Sequence, residues 1–145
     1  MPHDTNDGST TVLVVEDDFD LRDALVPILE YEGHRVVSAA NGKEALDRLH
    51  AMPAPSVILL DLMMPGMSGE EFRAEQLRDP ALASIPVVVL SAHPSAEERA
   101  ARIGADGCIK KPFEVETLLE QVRRSSRRIA AALVASPTMA RARRP

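Results

Sequence analysis

Short apolar runs punctuate the chain at regular intervals. They are Val12-Leu13-Val14-Val15, Val36-Val37, Val57-Ile58-Leu59-Leu60 and Val87-Val88-Val89-Leu90, with a weaker Cys108-Ile109. The runs are β-branched and do not alternate with polar residues, which predicts strands buried on both faces, β1 to β5. Between them apolar positions recur at helical spacing and predict helices α1 to α5. Leu21, Leu25, Ile28 and Leu29 mark α1, closed by Gly33; Ala45, Leu46 and Leu49 mark α2; Phe72, Gln76 and Leu77 mark α3. An Ala-rich stretch near residues 96–103 is the weaker α4, and Val115, Leu118, Leu119 and Val122 mark α5.

Helix starts agree with this division. Asn41-x-x-Glu44, Ser68-x-x-Glu71 and Ser95-x-x-Glu98 each fit a capping box ahead of a predicted helix. Asp18 suits the N-cap of α1, where the helix dipole favours an acid. Pro27 falls inside the α1 pattern, removes a backbone donor and predicts a kink or early break. Strict alternation of strand and helix implies an α/β fold with a parallel sheet and helices on both faces. Five strands of this length suggest a flavodoxin-like, doubly wound five-stranded sheet in the order 2-1-3-4-5 with five helices.

Composition narrows the classes. The 145 residues are 45% apolar and 27% charged, which suits one packed domain. A single cysteine, Cys108, excludes an internal disulfide framework and a cysteine-based zinc site. No apolar run approaches the roughly 20 residues that span a bilayer, and Met1 to Ser9 lacks the pattern of a signal peptide, so a cytoplasmic location is expected. The net charge of −5 hides a split. Residues 1–122 carry all 22 Asp and Glu but only ten of the 17 Lys and Arg, whereas residues 123–145 carry seven Arg and no acid. An acidic body is a poor nucleic-acid ligand, so nucleic acid is an unlikely partner.

In open α/β sheets the working site lies beyond the carboxyl ends of the strands. Glu16-Asp17-Asp18 follow β1, Asp61 follows β3, Ser91-Ala92 follow β4 and Lys110-Lys111-Pro112-Phe113 follow β5. Carboxylates about 5 Å apart at an effective dielectric near 20 repel by roughly 3 kcal/mol per pair, so either one is protonated or a cation neutralises them. Hard oxygen ligands suit Mg²⁺ or Mn²⁺. A nearby lysine and hydroxyl would bind the remaining phosphoryl oxygens, which makes a site for phosphoryl transfer to a carboxylate.

These residues carry a resemblance. Val14-Val15-Glu16-Asp17-Asp18, Asp61-Leu62-Met63-Met64-Pro65-Gly66-Met67-Ser68-Gly69, Ser91-Ala92, Gly104-Ala105-Asp106-Gly107 and Lys111-Pro112-Phe113 together resemble the receiver domain of two-component response regulators, over about residues 11–125. The resemblance implies a single-domain, chemotaxis-regulator-like phosphoprotein. Asp61 would accept phosphate from a kinase phosphohistidine. Asp17 would ligate the metal directly and Glu16 through water, with Asp61 and the Met63 carbonyl completing the protein ligands. Lys111, joined to Pro112 by a cis bond in the family, would pair with the phosphoryl oxygens. Ser91 would bind the phosphoryl group and move on activation, and Ala92 would leave the site open. Met63 and His93 fall at positions that line access to the phosphoryl group and tune its hydrolysis.

One position departs from the family pattern. A Tyr or Phe usually stands three residues before the lysine, where its ring swings with the Ser or Thr; here Cys108 stands there. A thiol has no comparable lever, so the resemblance puts the switch at Ser91 and Cys108 in question and points to the β4-α4 loop, with His93, as the reporter. The bland reading of Cys108 is a small buried hydrophobe.

The expected organisation is a disordered 1–10, a receiver over 11–125, and a basic extension over 126–145 that is helical at first and disordered after Pro137. The expected partners are a sensor histidine kinase or a histidine phosphotransfer protein, an unidentified downstream protein, and a second copy through the α4-β5-α5 face. Expected chemistry stops at the protein's own phosphorylation and dephosphorylation, so it is not an enzyme on other substrates. The competing functions are a phosphorylation-independent binding module and a phosphate shuttle or sink. An Asp-nucleophile phosphatase would show Asp-x-Asp-x-Thr after β1, where this chain has Glu16-Asp17-Asp18-Phe19. A flavin carrier is disfavoured by the acids after β1, and a P-loop NTPase by the missing phosphate-binding motif.

Overall fold

The computed structural model describes residues 10–126. The expectations for residues 1–9 and 127–145, and with them most of the Arg-rich segment, lie outside the described residues. The elements alternate: β1 Thr11–Val15, α1 Phe19–Tyr31, β2 Arg35–Ala39, α2 Gly42–His50, β3 Val57–Asp61, α3 Gly69–Arg78, β4 Val87–Ser91, α4 Ala96–Arg102 and β5 Gly107–Lys110. A fifth helix, α5, runs over residues 115–126. All strands pair in parallel, in the order β2-β1-β3-β4-β5, the 2-1-3-4-5 arrangement that the alternation predicts.

The period-two alternation of strand side chains divides the core. Leu13, Val15, Ile58, Leu60, Val87 and Val89 point to one face and pack with Leu49, Phe72 and Ala100 from α2, α3 and α4. Val12, Val14, Val57, Leu59, Val88 and Leu90 point to the other and pack with Leu25, Leu29, Leu118 and Val122 from α1 and α5. Central strands β3 and β4 are buried at every position, which is why their sequences read as unbroken apolar runs.

Three local expectations need correction. First, α1 is not broken at Pro27. Pro27 and Asp23, whose carbonyl loses its helical partner, are both exposed, so that oxygen is not buried unpaired. Second, Gln76 is buried beside Phe72 as its spacing predicts, but Leu77 is 46% exposed and Arg73 is buried instead. Arg73 donates to the carbonyls of Ile103 and Gly104 at 3.0 and 2.9 Å and to Gln76 Oε1 at 2.8 Å. Gln76 Nε2 donates to the carbonyls of Leu82 and Ile85. These bonds close loop backbone that would otherwise be left unpaired. Third, the capping boxes differ. Ser68 and Glu71 form the full reciprocal pair. Asn41 caps α2, but Glu44 reaches back to the Ala40 N–H instead of the N-cap. Ser95 makes no side-chain capping bond.

Helix ends at the opposite side of the sheet are closed by Gly33 and Gly104 in the left-handed region, at φ +96° and +69°, a conformation that glycine adopts without a Cβ clash. At the far end of α5, Arg123 pairs with Glu120 at 3.1 Å and Glu32 at 3.6 Å, and Arg124 with Glu120 at 3.6 Å. The first two arginines of the basic stretch thus bind acids of the body.

Candidate functional site

The acids sit where β1 and β3 end. Glu16, the residue after β1, is fully buried, and Asp61, the last residue of β3, is 3% exposed. Asp17 is exposed at the rim. Carboxylate oxygens of Glu16, Asp17 and Asp61 all lie within 4.8 Å of one another. Asp18 turns away and caps α1, accepting from the N–H groups of Asp20 and Leu21.

The neighbouring strands supply the cation and the hydroxyl. Ser91, the last residue of β4, is buried. Its carbonyl accepts from the Lys111 N–H at 3.0 Å, which anchors Lys111 beside β4. The Lys111-Pro112 bond is cis. Lys111 Nζ donates to Glu16 Oε1 at 2.9 Å and lies 3.8 Å from Asp61 Oδ2. Glu16 Oε2 accepts from the Asp18 N–H at 3.1 Å, and Asp61 Oδ1 from the Met63 N–H at 3.0 Å.

Lys111 thus reaches two of the three carboxylates, Glu16 and Asp61. Burial, followed by the Glu16 carboxylate, pushes the Asp61 pKa up from 3.8 to about 7, against the opposing pull of the Met63 N–H and Lys111. The donor set is all oxygen, partly exposed at Asp17, and short of positive charge, which fits Mg²⁺ or Mn²⁺.

The sequence matches the response regulator receiver domain over residues 12–123. The chain belongs to that family. This receiver is similar to the response regulator MprA of Mycolicibacterium vanbaalenii, at 41% identity over 119 residues, 81% of this chain and 50% of the relative. It is also similar to the phosphate regulon transcriptional regulatory protein PhoB of Escherichia coli, at 38% identity over 120 residues, 81% of this chain and 52% of the relative. Among solved structures, the chemotaxis response regulator CheY4 of Vibrio cholerae superposes with a TM-score of 0.74 at 32% identity, covering 81% of this chain and 98% of that one. The chain spans about half the length of the curated relatives it matches.

The remaining expected site residues lie in the β4-α4 loop, after β3 and on β5. Ser91 Oγ accepts from the His93 N–H at 3.1 Å. His93 is half-buried, and its Nδ1 accepts from the Ser95 N–H at 2.9 Å, so that nitrogen is engaged in its own loop. Ala92 is exposed. Met63 is 53% exposed, its sulfur 3.3 Å from Arg99 Nη1. Cys108 is half-buried against the core of the α2-α3-α4 face. Burial, then the Glu97 carboxylate, raises its thiol pKa, which argues against a reactive thiolate.

Three further residues touch this machinery, two of them without a mark in the local sequence. Arg22 Nη1 donates to the Glu16 carbonyl at 2.7 Å. Gly69 leaves no room for a side chain: a Cβ there would stand 2.7 Å from the Asp61 carbonyl oxygen. Arg99 makes a two-point pair with Glu70. Only Gly69 had a local signal, as a glycine at the first position of a helix where a better helix former would serve.

Proposed function

We propose that this receiver is a phosphoacceptor response regulator that takes a phosphoryl group from a kinase phosphohistidine onto Asp61 and thereby switches its protein contacts. The observation that carries the reading is the placement of Asp61: a nearly buried carboxylate with two further carboxylates within 4.8 Å and Lys111 Nζ at 3.8 Å. Glu16, Asp17, Asp61 and the Met63 carbonyl would hold Mg²⁺ or Mn²⁺. The bound cation would offset the charge that gathers on the carboxylates and on the phosphoryl oxygens.

The chain's own residues do the rest. An Asp61 carboxylate oxygen forms the bond to phosphorus as the phosphorus–nitrogen bond of the donor breaks, and the electron pair leaves with the imidazole. Lys111, at 2.9 Å from Glu16 and 3.8 Å from Asp61, would exchange its bond to Glu16 for bonds to the phosphoryl oxygens. Ser91 exchanges its bond with the His93 N–H for one donated to the phosphoryl group. Ala92, which is small and exposed, leaves the donor a path to Asp61.

The donor is a sensor histidine kinase or a histidine phosphotransfer protein, and the place of work is the cytoplasm; no helix among the described residues is long and apolar enough to cross a membrane. The output is a protein contact, to a downstream target or to a second copy through the α4-β5-α5 face. A second reading, a phosphate shuttle or sink, draws support from Cys108, since the side chain there has no ring to carry a switch to that face.

Incubation with acetyl phosphate and Mg²⁺, followed by intact mass, tests the proposal. A phosphoryl adduct that disappears in Asp61→Asn supports it. No adduct on the wild-type chain favours a phosphorylation-independent binding module, and turnover of the donor without a trapped adduct points to a phosphatase.

A further inference from the structure

One ion pair ties two helices together at the mouth of the site. Arg99 on α4 meets Glu70, in the first turn of α3, through two bonds: Nε to Oε2 at 2.6 Å and Nη2 to Oε1 at 2.9 Å. A fork-on-fork contact fixes the plane of the guanidinium as well as its position. Both partners are partly shielded, with side chains 20% and 32% exposed. The pairing holds the Glu70 carboxyl below its usual pKa, so the pair stays charged at neutral pH.

The nitrogen left over, Nη1, lies 3.3 Å from the sulfur of Met63. The Met63 N–H in turn donates to Asp61 Oδ1 at 3.0 Å. Glu70 is itself fixed relative to that loop, because the N–H of its neighbour Gly69 donates to the Leu62 carbonyl at 3.1 Å. A methionine side chain with three rotatable bonds and 53% exposure would otherwise sample many rotamers. Here its sulfur meets the fixed Arg99 guanidinium, and its backbone N–H is bonded to Asp61.

We infer that the Glu70–Arg99 pair holds the Met63 side chain over the mouth of the Asp61 site, which makes Arg99 a positioning residue that limits the access of water to the phosphoryl group. The inference rests on the reading of Asp61 as phosphoacceptor. Arg99 acts through Met63 and not by its charge. The guanidinium is already committed to Glu70, and its free edge faces a thioether.

The test follows decay of the phosphorylated full chain by intact mass after the acetyl phosphate is removed. Arg99→Ala and Glu70→Gln are each expected to speed decay by about three- to tenfold, a change of about 0.7–1.4 kcal/mol in the barrier. Arg99→Lys keeps the charge but loses the fork, and is expected to decay like Arg99→Ala. In a Met63→Ala background, Arg99→Ala is expected to add nothing, because both changes remove the same contact. A second readout needs neither metal nor phosphate: the ¹³C-methyl resonance of Met63 should move toward the rotamer-averaged position in Arg99→Ala. Unchanged decay in Arg99→Ala, rescue by Arg99→Lys, or additive effects in the double variant would each overturn the inference, as would an unmoved methyl resonance. If the wild-type chain takes up no phosphoryl group, the phosphoacceptor reading fails. The methyl resonance then still shows whether Arg99 places Met63.

Discussion

Lys111 is bonded to Glu16, with Nζ 2.9 Å from Oε1, and stands 3.8 Å away from Asp61. Without a metal the one lysine is committed to the fully buried acid, and Asp61 is left to cope with its burial largely through the Met63 N–H. That is why its pKa rises to about 7.

A pH dependence follows. Between about pH 4 and 7 the metal-free native state keeps a proton on Asp61 that the unfolded chain has released. The native state then binds more protons, so this group's contribution to stability falls as pH rises through that window and levels off above it. Asp61→Asn removes the effect. Urea denaturation in EDTA is expected to show the variant more stable than wild type by about 1–3 kcal/mol at pH 8, with the gap closing toward pH 4. A gap that does not change with pH would contradict the assignment.

Mg²⁺ is expected to raise the unfolding midpoint, since a ligand that binds only the native state adds about 2.7 kcal/mol at a hundredfold excess over its Kd. Asp17→Asn should abolish most of this gain, because Asp17 is the exposed member of the carboxylate group. Ser91→Ala should leave it intact, since the Ser91 hydroxyl is bonded to the His93 N–H. Thermal melts with and without Mg²⁺ read both outcomes.

Gly69→Ala sets two effects against each other. Alanine is better than glycine by about 1 kcal/mol in a helix interior and by less at the first helical position, where Gly69 stands. The new Cβ, however, would stand 2.7 Å from the Asp61 carbonyl oxygen and 2.7 Å from Leu62 Cα, and backbone atoms cannot step aside cheaply. The clash is expected to win, with a net loss of about 2 kcal/mol and slower phosphorylation as the Asp61 backbone shifts. Equilibrium unfolding and the rate of adduct formation measure the two parts.

Two serines with the same sequence pattern should behave differently. Ser68→Ala removes a reciprocal capping pair and is expected to cost about 1 kcal/mol. Ser95 makes no capping bond, so Ser95→Ala should change stability by less than about 0.5 kcal/mol. Parallel urea titrations of the two variants make the comparison.

The strands were legible in the sequence because burial on both faces demands an unbroken apolar run, and that demand is local. The site was legible for a related reason: Glu16, Asp61, Ser91 and Lys111 each stand where such a run stops. The inner face of α3 was not legible. Arg73 read as a solvent residue, yet it is buried because the carbonyls of Ile103 and Gly104 accept its hydrogen bonds, as those of Leu82 and Ile85 do for Gln76. Leu77 read as core and is half exposed. Helical periodicity counts apolar atoms and is blind to a polar side chain whose partners arrive from distant loops. The Ser95 pattern failed in a similar way, because the His93 ring occupies the Ser95 N–H that Glu98 would take and Ser95 lacks the extended backbone of the other N-caps.

The sequence by itself determined the order of elements, the parallel sheet and the four strand ends where the acids, the hydroxyl and the lysine gather, since each follows from patterns a few residues long. Only the tertiary structure decided which charge each ion takes as its partner. Lys111 takes Glu16 across 95 positions and Arg99 takes Glu70 across 29. Such choices turn on differences of about an ångström, here 2.9 against 3.8 Å at Lys111, and no local pattern encodes a distance between residues so far apart along the chain.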